Sequence, residues 1–335
     1  MVNLGIIGVG YWGPNFARLC YEEENASLCW FADVDEEALR KVRQKYPLVK
    51  TTKNYKELLK DKKLQAVVIT TPAQTHFKIA KEAMLAKKHV LVEKPLTANL
   101  KEARILQNLS KKSKRVLMVD HTFKYNPAIR RLKELIESGE LGKIYYILGS
   151  YSALGPIRKD VDVLWDLGPH WVYTLNYLLG SKPLLVDAKG GGYLKSGMKD
   201  VVFINLKYPQ KVLANIHITW IYPKKDRSLT VIGDKKMAIF DDVSPDAKLA
   251  VYDRGVSFNS TDPNFANLQA VLRDGDIVIP KVESKEPLKE CFRHFLECVA
   301  EKKKPLTDVN DGAKVVEILE KAMVSMRKNG ASVVI

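Results

Sequence analysis

Cysteine is scarce in this chain: four in 335 residues, Cys20, Cys29, Cys291 and Cys298, with no CxxC pair and no mixed Cys/His spacing suited to zinc. That excludes a disulfide scaffold and a zinc module, and leaves the thiols as buried or inert side chains in a reducing compartment. No metal site is expected. Long hydrophobic runs are missing too, since none approaches the roughly 18 residues of a membrane span. The chain enters a strand pattern at once, without a basic leader and cleavage site, so the expectation is a cytoplasmic protein with no membrane partner. Internal repeats and low-complexity tracts are absent.

A single block of one charge is also lacking. The net charge is +15, but the lysine-rich runs at 60–63, 111–115 and 301–305 are dispersed over helix ends and loops. No recognition helix or aromatic RNA motif accompanies them, so they read as solvated faces and no nucleic acid is expected. Some of this charge is available to steer an anionic small molecule into a cleft. It would also suit a heat-stable protein. The length and the 46% hydrophobic content point to about two domains with sizeable cores.

What is present begins with alternation of strand and helix. Up to Val119, "LGIIGV", "SLCWFAD", "AVVITT", "HVLVEK" and "RVLMVD" are separated by amphipathic stretches, the pattern of a parallel, doubly wound α/β sheet. Such strands are covered on both faces, which explains why they are continuously apolar. The first strand runs into Gly8, Gly10 and Gly13 with Pro14 at the start of a helix. Gly8 permits a tight turn, Gly10 lets a pyrophosphate approach the backbone, and Gly13 allows the helix to lie close to the strand. The helix N-terminus then faces the phosphates. Asp33 follows Gly13 by twenty residues at the end of the second strand, where a carboxylate accepts from ribose hydroxyls and repels a 2′-phosphate. NAD is therefore expected in preference to NADP. Asp33 also reads as a helix cap, with Asp35 as an alternative cap.

The run "TTPAQTHFKIAKEAMLAKKHVLVEKPLT", residues 70–97, resembles the Gfo/Idh/MocA family of nicotinamide-dependent oxidoreductases. Thr71-Pro72 with His76, the Glu93-Lys94-Pro95 triplet, the later "VDHTFKYNPAIRRLKELIESGELGKI", and Asp166 with His170 carry the resemblance, which continues to "RHFLECVAEKKKPLTDVNDGAKVVEILEKA". It implies a Rossmann domain over 1–122 and, over 123–335, an α+β substrate-binding and oligomerisation domain with a largely antiparallel open sheet. Helices from about Leu288 would return to the first domain. It also implies a homodimer or homotetramer and a cis peptide before Pro95. The expected cofactor contacts are Gly8, Gly10, Tyr11, Trp12, Gly13, Asp33, Thr71, Pro72, His76, Glu93 and Lys94.

Lys94 lies at the carboxyl end of a strand, the edge at which open α/β sheets bind ligands. There it would favour a substrate alkoxide as hydride leaves, or it is a surface lysine before a helix-starting proline. From about Phe123 short strands recur with tight turns, and residues 253–285 read as a loop-rich stretch over the cleft. A helix is expected to begin near Pro169 and stop at Gly180, with His170 in its first turn and Asp166 just before it. The helix end would favour neutral imidazole, and a carboxylate would orient the ring of a general base. Asp166 reads equally as a cap. The resemblance makes Lys94, Asp166 and His170 the catalytic set. Tyr125 and Arg158 join Lys94, Asp166 and His170 as substrate contacts; Arg158 and Lys159 either grip a phosphate or carboxylate or are loop charges. His121 and Tyr125 either line the nicotinamide pocket or are structural. One departure stands out: Trp171 occupies a position where relatives with a "WDLxPH" run carry an acid.

The resulting expectation is oxidation of a secondary alcohol on a nucleotide-diphosphate sugar, a free sugar or an inositol. A non-catalytic NAD-binding regulator is the rival reading.

Overall fold

The computed structural model of the protein describes residues 1–259 and 269–335. Two compact units emerge, Met1–Tyr125 with Lys285–Glu320, and Asn126–Ser284 with Lys321–Ile335.

In the first unit the chain alternates β1 (Val2–Ile7), α1 (Gly13–Glu22), β2 (Ala26–Ala32), α2 (Glu36–Lys45), β3 (Lys50–Thr52), α3 (Tyr55–Lys60), β4 (Ala66–Ile69), α4 (Ala73–Leu85), β5 (His89–Val92), α5 (Leu100–Ser113) and β6 (Leu117–Val119). The strands form one sheet in the order β3-β2-β1-β4-β5-β6, every pairing parallel. The order reverses beside β1, which opens a crevice at the carboxyl ends of β1 and β4. The three-residue edge strand β3 was not visible as an apolar run. "KTT" has no hydrophobic signal of its own, and it is a strand because it pairs with β2.

The core of this unit is completed by a helix from the far end of the chain. Pro287 starts one that runs to Glu301, and it buries Leu288, Cys291, Phe292, Phe295 and Cys298 among Leu4, Ile6, Phe16 and Phe31. Phe16 and Phe292 meet edge to face with ring centroids 6.0 Å apart. Each fully buried aromatic contributes about 1.5–3 kcal/mol, so this returning helix, α8 below, is a structural member of the unit.

The second unit holds α6 (Pro127–Glu137), β7 (Ile144–Ser152), α7 (Val163–Leu179), β8 (Leu185–Gly191), β9 (Val201–Lys207), β10 (Leu213–Thr219), β11 (Asp226–Gly233), β12 (Met237–Asp241), β13 (Leu249–Asn259) and β14 (Gln269–Val278). After α8 come α9 (Val309–Arg327) and β15 (Val333–Val334). The sheet order is β14-β13-β12-β11-β7-β10-β9-β8-β15, antiparallel except for β7 with β10. Helices α6 and α7 cover one face.

The loop-rich reading of 253–285 is corrected here. Within it, β13 continues to Asn259 and β14 spans Gln269–Val278, paired antiparallel. A register shift between Tyr252 and Arg254, glycines at 255 and 275, and unbroken exposure over 270–278 of β14 remove the alternation that would have marked them. Residues 260–268 lie outside the described residues. Among the described residues, no helix is long and apolar enough to cross a membrane.

Candidate active site

The glycine turn is built as its spacing demands. Gly8 has φ +101°, a region L side chains rarely adopt, and a Cβ there would lie 2.8 Å from the Thr70 and Thr71 backbone. A Cβ on Gly13 would sit 2.4 Å from the Gly8 carbonyl oxygen, so α1 approaches the turn only as glycine. Nothing lies within 4 Å of a Cβ at Gly10. That is open space in front of the α1 N-terminus, whose first turn carries no acidic residue to cancel its positive end. Tyr11 and Trp12 are exposed and meet edge to face at 5.1 Å.

Asp33 reaches back to the same turn. Its carboxylate accepts from the Val9 amide at 2.6 Å and the Asp35 amide at 2.9 Å, while Asp35 itself caps α2 through the Glu37 amide. Gly8, Gly10, Asp33, Thr71 and Pro72 line one cleft of about 430 Å³. Open backbone at Gly10, a bare helix end and a carboxylate beyond it match the phosphate and ribose of a dinucleotide, so the residues fit NAD. Lys53, Tyr55 and Lys78 line the cleft as well. Sequence reasoning missed them because Lys53 and Tyr55 lie at the entry to α3 and Lys78 lies on α4, away from the glycine motif.

Next to the cleft the Lys94–Pro95 peptide is cis. His76, buried on α4, places Nε2 2.8 Å from the Thr71 carbonyl and Nδ1 2.8 Å from the Pro95 carbonyl. It was expected at the cofactor; its ring instead braces the two loops against each other.

Lys94 itself stands at the edge of a buried cluster. Glu93 follows β5 and Asp120 follows β6, and their carboxyls are hydrogen-bonded to each other. Burial, then the neighbouring Asp120 charge, pushes Glu93 well above the usual carboxylate range. Burial raises Asp120 to about 6, opposed by hydrogen bonds from Cys291 and Glu93 and by the Lys94 charge. Two adjacent buried carboxylates resist ionising together, so each holds its proton more tightly than it would in water. Burial and the same Lys94 charge lower His121 to about 3, so its imidazole is neutral. Tyr125 takes the structural one of its two readings: it is 1% exposed, with its hydroxyl 3.5 Å from the Thr307 hydroxyl and its ring against His294. The aromatic packs inward because the 3-10 turn Thr122–Tyr125 lies on α8.

In the second unit α7 begins six residues before the expected Pro169. Asp162 is the cap, accepting from the Trp165 amide at 3.2 Å, and Pro169 lies inside the helix. Proline gave a false start signal, since it suits a first turn but costs an interior helix one hydrogen bond. Asp166 therefore occupies the first turn and His170 the second, beyond the reach of the terminal dipole, which fades within one turn. Asp166 accepts from the Trp220 indole at 3.1 Å. The His170 ring stacks on Tyr151 at 5.1 Å, and the Arg227 guanidinium lies 4.8 Å from that Tyr151 ring. Arg227 was not foreseen; only its register opposite Tyr151 on β11 brings it here.

Trp171 points the other way. It is fully buried, donates from Nε1 to the Ser150 carbonyl at 2.8 Å and packs on Tyr151 and Phe240. Its departure from the acidic pattern alters the core beneath His170. Arg158 is held by Asp160 through paired bonds of 2.9 and 2.8 Å, which occupies the fork expected to grip a phosphate.

Residues 2–121 match the profile of the oxidoreductase family with an NAD-binding Rossmann fold, and 129–239 match the GFO/IDH/MocA C-terminal domain. The chain belongs to the Gfo/Idh/MocA family of oxidoreductases. An uncharacterised oxidoreductase of Escherichia coli, YdgJ, is 31% identical over 223 residues, and the match spans 63% of each chain. Myo-inositol 2-dehydrogenase of Thermotoga maritima is 27% identical over 257 residues, 72% of this chain and 76% of that one. UDP-N-acetylglucosamine 3-dehydrogenase of Acidithiobacillus ferrooxidans is 26% identical over 284 residues, 84% of this chain and 87% of the relative. Its solved structure superposes with a TM-score of 0.80 at 24% identity, covering 97% and 98% of the two chains. In this Gfo/Idh/MocA oxidoreductase, the glycine turn and Asp33 lie within the segment that matches the NAD-binding Rossmann profile. Asp120, Cys291 and Arg227 add to the set visible in sequence.

Proposed function

We propose that this oxidoreductase removes hydride from a secondary alcohol of a sugar, with a nucleotide-diphosphate sugar as the favoured substrate. Bound NAD supplies the hydride acceptor. Lys94 holds negative charge on the substrate oxygen, His170 takes the hydroxyl proton, and Asp166 positions the imidazole. The observation that carries this reading is the His76 brace, which ties the Thr71 loop of the cofactor cleft to the loop bearing Lys94. A cationic group fixed relative to the cofactor site is what alkoxide stabilisation requires. The dehydrogenase relative that acts on a UDP-sugar supports the favoured substrate. The inositol dehydrogenase relative supports a cyclitol as the second choice.

The test is NADH formation with a panel of nucleotide sugars, free sugars and inositols, using the wild type, Lys94→Ala and His170→Ala. Turnover of a nucleotide sugar that falls by about 10²–10⁴ in each variant is expected. Turnover confined to cyclitols would replace the favoured substrate. Turnover unchanged in either variant would remove that residue from the mechanism.

We also propose a cytoplasmic homodimer or homotetramer. The four cysteines are free thiols, as suits a reducing compartment. The face of the second sheet opposite α6 and α7 exposes Tyr146, Leu148, Phe203 and Leu213, an apolar patch of the kind that marks a contact between subunits. Light scattering after gel filtration reads the subunit number directly.

A further inference from the structure

Two of the lysine runs that look dispersed in sequence, at 111–115 and 301–305, meet in space. Helix α5 ends at Lys114 and α8 ends at Lys302, both residues in the left-handed region with φ of 53° and 55°. Around these two ends lies a cleft of about 300 Å³, lined by Lys111, Lys114, Arg115, Lys302, Lys303 and Lys304. Its floor is His89 and Leu117, the first residues of β5 and β6. The cleft therefore sits at the amino edge of the parallel sheet, whereas the cofactor cleft sits at the carboxyl edge.

Cations at helix C-termini are partly explained by the helix dipole, and here that explanation falls short. Two helix ends offer about half a charge each. Asp308 takes Lys304 at 3.0 Å and Glu301 takes Lys303 at 2.5 Å. About three positive charges stay uncompensated in one concave site, a self-repulsion that an anion would relieve. Lys111, Lys114 and Lys302 form no ion pair among the described residues.

We propose that this cleft binds a small polyanion carrying at least two phosphoryl groups, either a nucleoside polyphosphate or an inorganic polyphosphate. Five of the six cations are lysines, mobile point charges that adapt to phosphoryl oxygens; a carboxylate site would be built from arginine forks. The cations converge on one pocket and do not form a stripe. A duplex presents a charge every ~1.7 Å along its axis and needs such a track. The site is separate from the NAD cleft and does not depend on which alcohol is oxidised.

The experiment is calorimetric titration of the full chain with tripolyphosphate, pyrophosphate and ADP at fixed ionic strength, with NAD saturating so that the cofactor cleft is filled. Sulfate serves as the reference anion. Two variants are compared with the wild type: Lys111→Gln with Lys303→Gln, and Lys114→Gln with Lys302→Gln. A control replaces Lys207, Lys224 and Lys225, exposed lysines of the second unit, by Gln. Tripolyphosphate should bind the wild type at least tenfold tighter than sulfate. Both cleft variants should lose at least tenfold, while the control and the NAD affinity of every variant stay unchanged. ADP binding tighter than pyrophosphate identifies a nucleotide as the source; the reverse identifies inorganic polyphosphate. The proposal is overturned if the wild type does not prefer tripolyphosphate to sulfate, if the cleft variants bind like the wild type, or if the control loses as much as they do.

Discussion

The two sheets of this protein bury their strands in different ways. In the six-stranded parallel sheet, every residue of β4 and β5 is buried, because helices cover both faces. In the nine-stranded sheet, β9 alternates buried and exposed positions along its length, because α7 packs on one face only. The first pattern admits a polar side chain only where a hydrogen-bond partner meets it, as Arg115 and the Val116 amide meet His89 at the start of β5. The second tolerates one at every other position, and the tolerant positions are those free to evolve a contact surface.

The largest expected effect tests the two-sided burial. Val68→Asp puts an unpaired charge in the centre of β4, fully buried, and is expected to cost more than about 4 kcal/mol and to leave no folded protein on expression. Recovery of a soluble, NAD-binding variant would break the contrast between the sheets.

Trp171→Ala removes the largest fully buried side chain of α7 and is expected to cost about 3–5 kcal/mol in urea unfolding. If Trp171 acts as core, the folded fraction retains turnover far above that of His170→Ala. Equal loss of turnover would return this position to the substrate.

The glycines should separate in the same way. Gly13→Ala forces a Cβ against the Gly8 carbonyl, so about 1–3 kcal/mol of stability and NAD affinity fall together. Gly10→Ala meets nothing in the free protein, so melting is unchanged while NAD titration shows weaker binding. Loss of stability at Gly10 would contradict its assignment as the phosphate approach.

A smaller effect concerns acidity. The Asp120 carboxyl is raised to about 6 in the folded protein, against about 3.9 in an unfolded chain. Its protonated form favours the fold, so this stabilisation is complete below about pH 4 and is lost as pH rises through about 6. Glu93 shifts in the same direction. Asp120→Asn should flatten the fall in unfolding free energy across that window. Urea titrations at stepped pH read the slope, and identical slopes would exclude the pair as its origin.

The smallest effect lies on the open face. Leu148 is 47% exposed, so Leu148→Asp should change subunit stability by less than about 1 kcal/mol. If that face joins subunits, the same substitution lowers the molecular mass in solution, which distinguishes a contact surface from a bare one.

Much of the active region was legible because its constraints are local. Gly8, Gly10 and Gly13 are dictated by backbone geometry within one turn, and Asp33 by its place at the end of the next strand. The continuous apolar runs at β4 and β5 announced a sheet covered on both sides. The start of α7 was not legible, since Pro169 imitates a first-turn proline while the true cap, Asp162, lies seven residues upstream of it. Nor were β13 and β14, whose register shift and exposure hide the period of two. Tyr125 and Trp171 carried functional motifs yet turned into the core, because a motif fixes the order of residues along a chain and not the direction a side chain takes.

The sequence by itself determined the parallel sheet and the glycine turn that follows its first strand. These follow from periodicity and spacing within a few tens of residues. Only the tertiary structure decided the rest: that Asp120 and Cys291 close around Glu93 beside Lys94, that His76 braces two loops, and that lysine runs near residues 111 and 303 line one cleft. Each depends on groups remote in the chain becoming neighbours. Their energies come from burial and Coulomb interaction, which vary with distance in space and not with separation in sequence.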